Sequence, residues 1–178
     1  MLGEDAHGEE IVPPLGELDR RVQRYRVELD REGITARHAG HFGDTSEAGA
    51  IRIPESIWGD VTNDRLLIAE EDITPATLLR EYSLAGESRG RTVGEGLFKA
   101  QAEGIALFAC PDGSGAWLAT DQYKDFSLFH VFDRKTLEHR GAFAGQLTAN
   151  TDGIWLHQAP TAAFPNGVFY AVHDDMAV

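Results

Sequence analysis

The sequence predicts an all-β fold, a β-propeller of four-stranded antiparallel blades with about three blades present. Three observations predict it. Short β-rich segments alternate with turn-forming residues along the chain. No segment carries a strong amphipathic-helix pattern. A string of fixed residue order recurs with a period close to 50 residues.

In chain order, Leu15 to Arg21 reads as a helical turn. Val22 to Leu29 and Ile34 to Phe42 read as strands on either side of Asp30-Arg31-Glu32-Gly33. Leu66 to Ala69 follows the turn Thr62-Asn63-Asp64, and Pro75 argues against a helix after Asp72. Gly104 to Ala109 and Trp117 to Thr120 flank Pro111-Asp112-Gly113-Ser114-Gly115. Ser127 to Phe132 is the next strand, and Val168 to Val172 follows Phe164-Pro165-Asn166-Gly167.

The repeat selects a propeller among all-β folds. Pro54-Glu55-Ser56-Ile57, Ala102-Glu103-Gly104-Ile105 and Thr151-Asp152-Gly153-Ile154 each place an acid, then Ser or Gly, then Ile. The acids are 48 and 49 residues apart. Each string leads into a second strand with a polar end: Glu70-Glu71-Asp72, Asp121-Gln122 and His173-Asp174-Asp175. Third strands follow in two repeats, Leu78 to Tyr82 and Leu128 to Asp133, then fourth strands around Arg91 to Val93 and Arg140 to Phe143. Residues 1–178 thus read as one partial propeller with repeats starting near 55, 103 and 152. Half a blade comes first, then two whole blades, then half a blade. A closed propeller needs at least about four blades. The remainder is expected from a second copy, as a homodimer, or from the missing half of a longer chain.

Composition narrows the partners. With 29 acidic against 16 basic residues the net charge is −13, a poor surface for nucleic acid. A phosphorylated substrate is repelled unless metal ions reverse the local sign. No apolar run approaches the ~20 residues of a membrane span. Met1 to Glu10 is acidic and glycine-containing, unlike a signal peptide. Cys110 is the single cysteine, which excludes an internal disulfide, and its apolar setting predicts a buried, inert thiol. His38 and His41, three apart on a strand, are expected on opposite faces of the surface. Trp58, Trp117 and Trp155 are expected to pack between blades.

Candidate chemistry lies at the strand ends. An antiparallel hairpin sets the start of its first strand beside the end of its second. Glu55 is then near Glu70 and Glu71, Glu103 near Asp121 and Gln122, and Asp152 near His173 and Asp174. First strands line the axis of a propeller, so the three clusters converge on one mouth. Carboxylates, an amide and backbone carbonyls form a hard oxygen environment suited to Ca²⁺.

From Glu55 to Asp175 the chain resembles the β-propeller phytases. The resemblance rests on Leu67-Ile68-Ala69-Glu70-Glu71-Asp72, Ala102-Glu103-Gly104 with Asp112-Gly113-Ser114-Gly115, Thr151-Asp152-Gly153-Ile154, and Phe164-Pro165-Asn166-Gly167-Val168-Phe169. It implies the C-terminal half of a six-bladed propeller. It implies a Ca²⁺-dependent phosphomonoester hydrolase that removes phosphates from myo-inositol hexakisphosphate, phytate, outside the cell or in the periplasm. It puts Glu55, Glu70 or Glu71, Glu103, Gln122 and Asp152 on metal-site positions, the acids acting in catalysis through bound metal and water.

The chain departs from the family pattern at several positions. Gln101 and Gln146 stand where the family usually carries Asp. Gln122-Tyr123-Lys124 replaces Gln-Gly-Asn, and Glu4 aligns with a phosphate-binding lysine. Two readings therefore stand beside a phytase: a non-catalytic Ca²⁺-binding propeller segment, and a Ca²⁺-dependent propeller lactonase.

Overall fold

The computed structural model describes residues 3–4, 10–71 and 76–174. The expectations that rest on Asp72, Pro75 and Asp175, and on the side chain of Glu4, lie outside the described residues. The fold is all-β. The strands among the described residues, in chain order, are β1 (Gly3–Glu4), β2 (Glu10–Ile11), β3 (Val22–Leu29), β4 (Ile34–Phe42), β5 (Pro54–Asp60), β6 (Arg65–Glu70) and β7 (Leu78–Tyr82), then β8 (Ser88–Val93), β9 (Ala102–Ala109), β10 (Gly115–Gln122), β11 (Ser127–Asp133), β12 (His139–Ala144), β13 (Ile154–His157) and β14 (Val168–Ala171). The predicted helical turn is a 3₁₀ helix, Leu15–Arg20, anchored by buried Leu18.

Two strand groups form four-stranded antiparallel meanders, β5-β6-β7-β8 (sheet I) and β9-β10-β11-β12 (sheet II). On either side stand two-stranded hairpins, β3-β4 and β13-β14. The sheets pack face to face in chain order. Phe42, Ile51, Ile68 and Tyr82 form a core between the β3-β4 hairpin and sheet I. Leu67, Leu79 and Val93 from sheet I meet Ile105, Trp117 and Phe132 from sheet II in a second core. Phe169 of β14 packs edge-on against Phe129 and Phe143 of sheet II. The first strands adjoin one another, β5 beside β9 and β9 beside β13.

A buried ionic network ties sheet I to sheet II at the end away from the strand starts. Asp60, at the end of β5, takes Nε and Nη2 of Arg134, both at 2.8 Å. Arg65 bonds Glu81 at 2.7 Å and the Arg134 carbonyl at 2.6 Å. Each charge here is paired, which is what makes its burial tolerable.

Three expectations change. Trp117 is fully buried between the sheets, but Trp155 is 50% exposed because none of the described residues covers that face of β13-β14. His38 and His41 are both exposed, yet their rings stack at 6.5 Å. The pairing register shifts between Arg24 and Tyr25, and this bulge inserts Ala39 and resets the alternation between the two histidines. Cys110 is half-buried, because it lies in the β9-β10 turn rather than in the core.

The Asp60–Arg134 pair makes stability acid-sensitive. The Arg134 guanidinium holds the Asp60 carboxyl down at about 2, below its ordinary 3.8. Its contribution is therefore present above pH about 4 and is lost as pH falls through 2. Asp60→Asn is expected to cost roughly 3 kcal/mol at neutral pH. Urea denaturation at several pH values checks this: the gap between wild type and variant closes from pH about 4 to 2.

Candidate metal centre

The site is built where first strands begin and second strands end. In sheet I, Pro54 pairs with Glu70 and Ile57 with Ile68, so Glu55 and Ser56 together stand opposite Ala69. In sheet II, Ala102 pairs with Asp121 and Ile105 with Ala119, so Glu103 and Gly104 stand opposite Thr120. Each acid thus lies in a bulge, where two residues fill the space of one and the side chain is re-aimed.

The residue after each acid is small because neighbouring first strands touch there. Ser56 Oγ donates to the Glu103 carbonyl at 2.6 Å. A Cβ on Gly104 would come within 2.4 Å of the Asp152 carbonyl, so glycine alone fits that approach. In the first two repeats the small residue of the acid–small–Ile string thus marks first strands packed side by side. Glu55, Ser56, Glu103, Gly104, Asp152 and Gly153 accordingly line a single groove of about 320 Å³.

Second-strand ends carry two positions with different tasks. Glu70 is almost fully buried and accepts the backbone N–H groups of Arg52 and Ile53, both at 2.7 Å. Asp121, also buried, accepts those of Lys99 and Ala100, both at 2.9 Å. His173 continues the series, its Nδ1 taking the Ala149 N–H at 3.2 Å. Each strap fastens the loop that leads into the first strand of its own hairpin. Burial alone would raise the Asp121 carboxyl, but nearby His130 and the two N–H groups outweigh it and hold it below its ordinary value.

The next residue faces the mouth. The N–H groups of Glu71, Gln122 and Asp174 donate to the Ile53, Gln101 and Ala149 carbonyls at 3.0, 2.8 and 2.9 Å. Carboxylate oxygens of Glu55, Glu71 and Glu103 gather within 4.8 Å of one another. Two ligands across a Ca²⁺ ion, each at 2.3–2.6 Å, stand about 5 Å apart, so this spacing fits such an ion. Gln101 donates its amide to Glu71, and Gln122 donates to Asp152.

Of the predicted residues, the structure brings together Glu55, Glu71 and Glu103 and sets Asp152 with Gln122 beside them. Glu70 turns inward to strap the loop. The sequence alone does not distinguish Glu70 from Glu71 and does not show a partner for Gln101. Strand alternation could have separated the two acids had the buried face been known. Gln146 is exposed in the loop before β13. Next to the acids lies a cavity of about 440 Å³, whose lining includes Gln101, Gln122, Lys124, Asn150, His173 and Asp174.

No family model matches the chain, and no curated protein matches its sequence. Among the described residues no helix is long and apolar enough to cross a membrane.

The adjacent acids should separate cleanly on substitution. Glu70→Gln removes a buried charge that holds two backbone N–H groups and stands 4.0 Å from Arg80, an expected loss of about 2–3 kcal/mol. Glu71→Gln relieves like-charge crowding and should leave stability within about 0.5 kcal/mol in the absence of metal. Chelator-treated samples in thermal melts measure both.

Proposed function

We propose that the chain is an arc of a β-propeller whose acidic mouth binds Ca²⁺ and serves a phytase-like phosphomonoester hydrolase. The propeller reading is supported by two four-stranded meanders stacked in chain order with their first strands side by side. The observation that carries the site is the convergence of Glu55, Glu71 and Glu103 from two sheets onto one spot. The substrate class rests on the resemblance to β-propeller phytases, and an extracellular or periplasmic setting would follow from it.

Glu55, Glu71 and Glu103 would hold the cation. Ca²⁺ held there would supply positive charge to draw phosphate groups into an acidic mouth and to offset the negative charge developing on the phosphoryl and leaving-group oxygens. The Asp121 and Glu70 straps keep the acids in place, so little reorganisation is needed on binding. In the adjoining cavity Gln101, Gln122, Asn150 and Lys124 offer amide and ammonium donors to phosphate oxygens.

One observation favours a second reading, a non-catalytic Ca²⁺-binding segment. The Gln101 amide donates to Glu71 from a position where a carboxylate would add a ligand for a further ion. Phosphate release from phytate decides between the two. The hydrolase reading predicts release with Ca²⁺ that stops on chelation. Calcium binding without release would leave the binding segment.

Metal should stabilise the fold. At a hundred times the dissociation constant the gain is about 2.7 kcal/mol, seen as a raised melting midpoint that chelator reverses. Glu103→Gln should abolish most of that gain. Asp112→Asn should retain it, because Asp112 sits in the far turn of the same hairpin, where it accepts from Ser114. A larger loss in Asp112→Asn, measured by calorimetry, would place the mouth at the wrong end.

A further inference from the structure

We infer that a second copy of this chain fills the open edges of the terminal hairpins, β14 of one copy pairing with β3 of the other, twice around a two-fold axis. The inference rests on the blade reading above and not on the metal.

The register shows which strands each hairpin lacks. In sheet I the β7-β8 pairing shifts before Tyr82, and in sheet II the β11-β12 pairing shifts before Phe132. The β3-β4 pairing shifts at the corresponding place, before Tyr25, by one extra residue as in sheet II. Gly90, Gly141 and Gly40, all with positive φ, lie on the strands opposite these shifts. So β3 and β4 occupy the third and fourth places of a sheet, and β4 precedes β5 as β8 precedes β9. The β13-β14 hairpin occupies the first and second places, since the Asp174 N–H bonds the Ala149 carbonyl as Glu71 and Gln122 do in sheets I and II. The two hairpins are complementary halves.

This equivalence fixes the pairing. Leu66 stands opposite Tyr82 and Trp117 opposite Phe132, so Phe169 should meet Tyr25. Ile68 stands opposite Arg80 and Ala119 opposite His130, so Ala171 should meet Gln23. The exposures carry the mark of the missing halves. Tyr82 and Phe132 are 0% and 1% exposed, whereas Tyr25 is 60% exposed. Val27, Leu29 and Ile34 on one hairpin and Trp155, Tyr170 and Val172 on the other are exposed as well. Unpaired apolar edges of this kind invite strand addition.

Charge favours the same match. Residues 20–42 hold six arginines against three acids, in a chain whose net charge is −13. Residues 141–178 hold no lysine or arginine and three aspartates. The hairpins cannot join within one copy, because β3-β4 packs on sheet I and β13-β14 on sheet II, at opposite ends of the stack. A two-fold pair joins β14 of each copy to β3 of the other and so closes both of these edges at once.

Cross-linking tests the register. In a Cys110→Ser background, Gln23→Cys with Ala171→Cys should oxidise to a covalent dimer. Its yield should exceed by about tenfold that of Arg26→Cys with Ala171→Cys, which stands three residues, about 10 Å, out of register and beyond disulfide reach. Light scattering on the unsubstituted chain should return twice the monomer mass. Equal yields from the two variants, or a monomer mass, would overturn the inference and leave the edges to another segment of a longer chain. A ladder of higher species would overturn the closed pair. Calcium titration of the same samples reports separately on the metal centre.

Discussion

Two buried carboxylates hold the rest in place. Glu70 is the last residue of β6 and Asp121 the last but one of β10, and each grips two consecutive backbone N–H groups of the loop entering the first strand. Bonds from backbone N–H groups to a carboxylate are about twice as strong as neutral ones, and at Asp121 they help to hold the carboxyl below its ordinary value. The straps set where each first strand begins. That start sets the bulge, and the bulge aims Glu55 and Glu103 at Glu71. The buried acid and its exposed neighbour are thus one device, the first ordering the backbone and the second facing outward.

Side-by-side packing of the first strands is the second constraint. It requires a small residue after each acid, which Ser56 and Gly104 meet in different ways, one by donating a hydroxyl and the other by having no side chain. The same packing draws acids from separate sheets into one groove. Like charges so placed repel, so a cation held there would link the proposed chemistry of the site to the stability of the whole stack.

Much of the fold was legible because strand order was written in turn chemistry and in the repeat. Val22–Leu29, Ile34–Phe42 and Leu78–Tyr82 match the predicted strands end for end. The site was legible as a set of acids but not as a geometry. Bulges are invisible to alternation, so the aim of Glu55 and Glu103 and the shared side of His38 and His41 could not be read. The contact between Gln101 and Glu71 needed the neighbouring sheet, since the two residues come from different hairpins. The exposure of Trp155 reflects the absence of a covering sheet, which no property of the residue itself encodes.

The central claim is that Glu55, Glu71 and Glu103 form a cation site while Glu70 remains structural. Crystals grown with Ca²⁺ and examined by anomalous scattering test it most directly. The account predicts a cation peak bounded by those three carboxylates, with Glu70 still bonded to the Arg52 and Ile53 N–H groups. A map with no peak there, or with the ion held by Glu70, would contradict it.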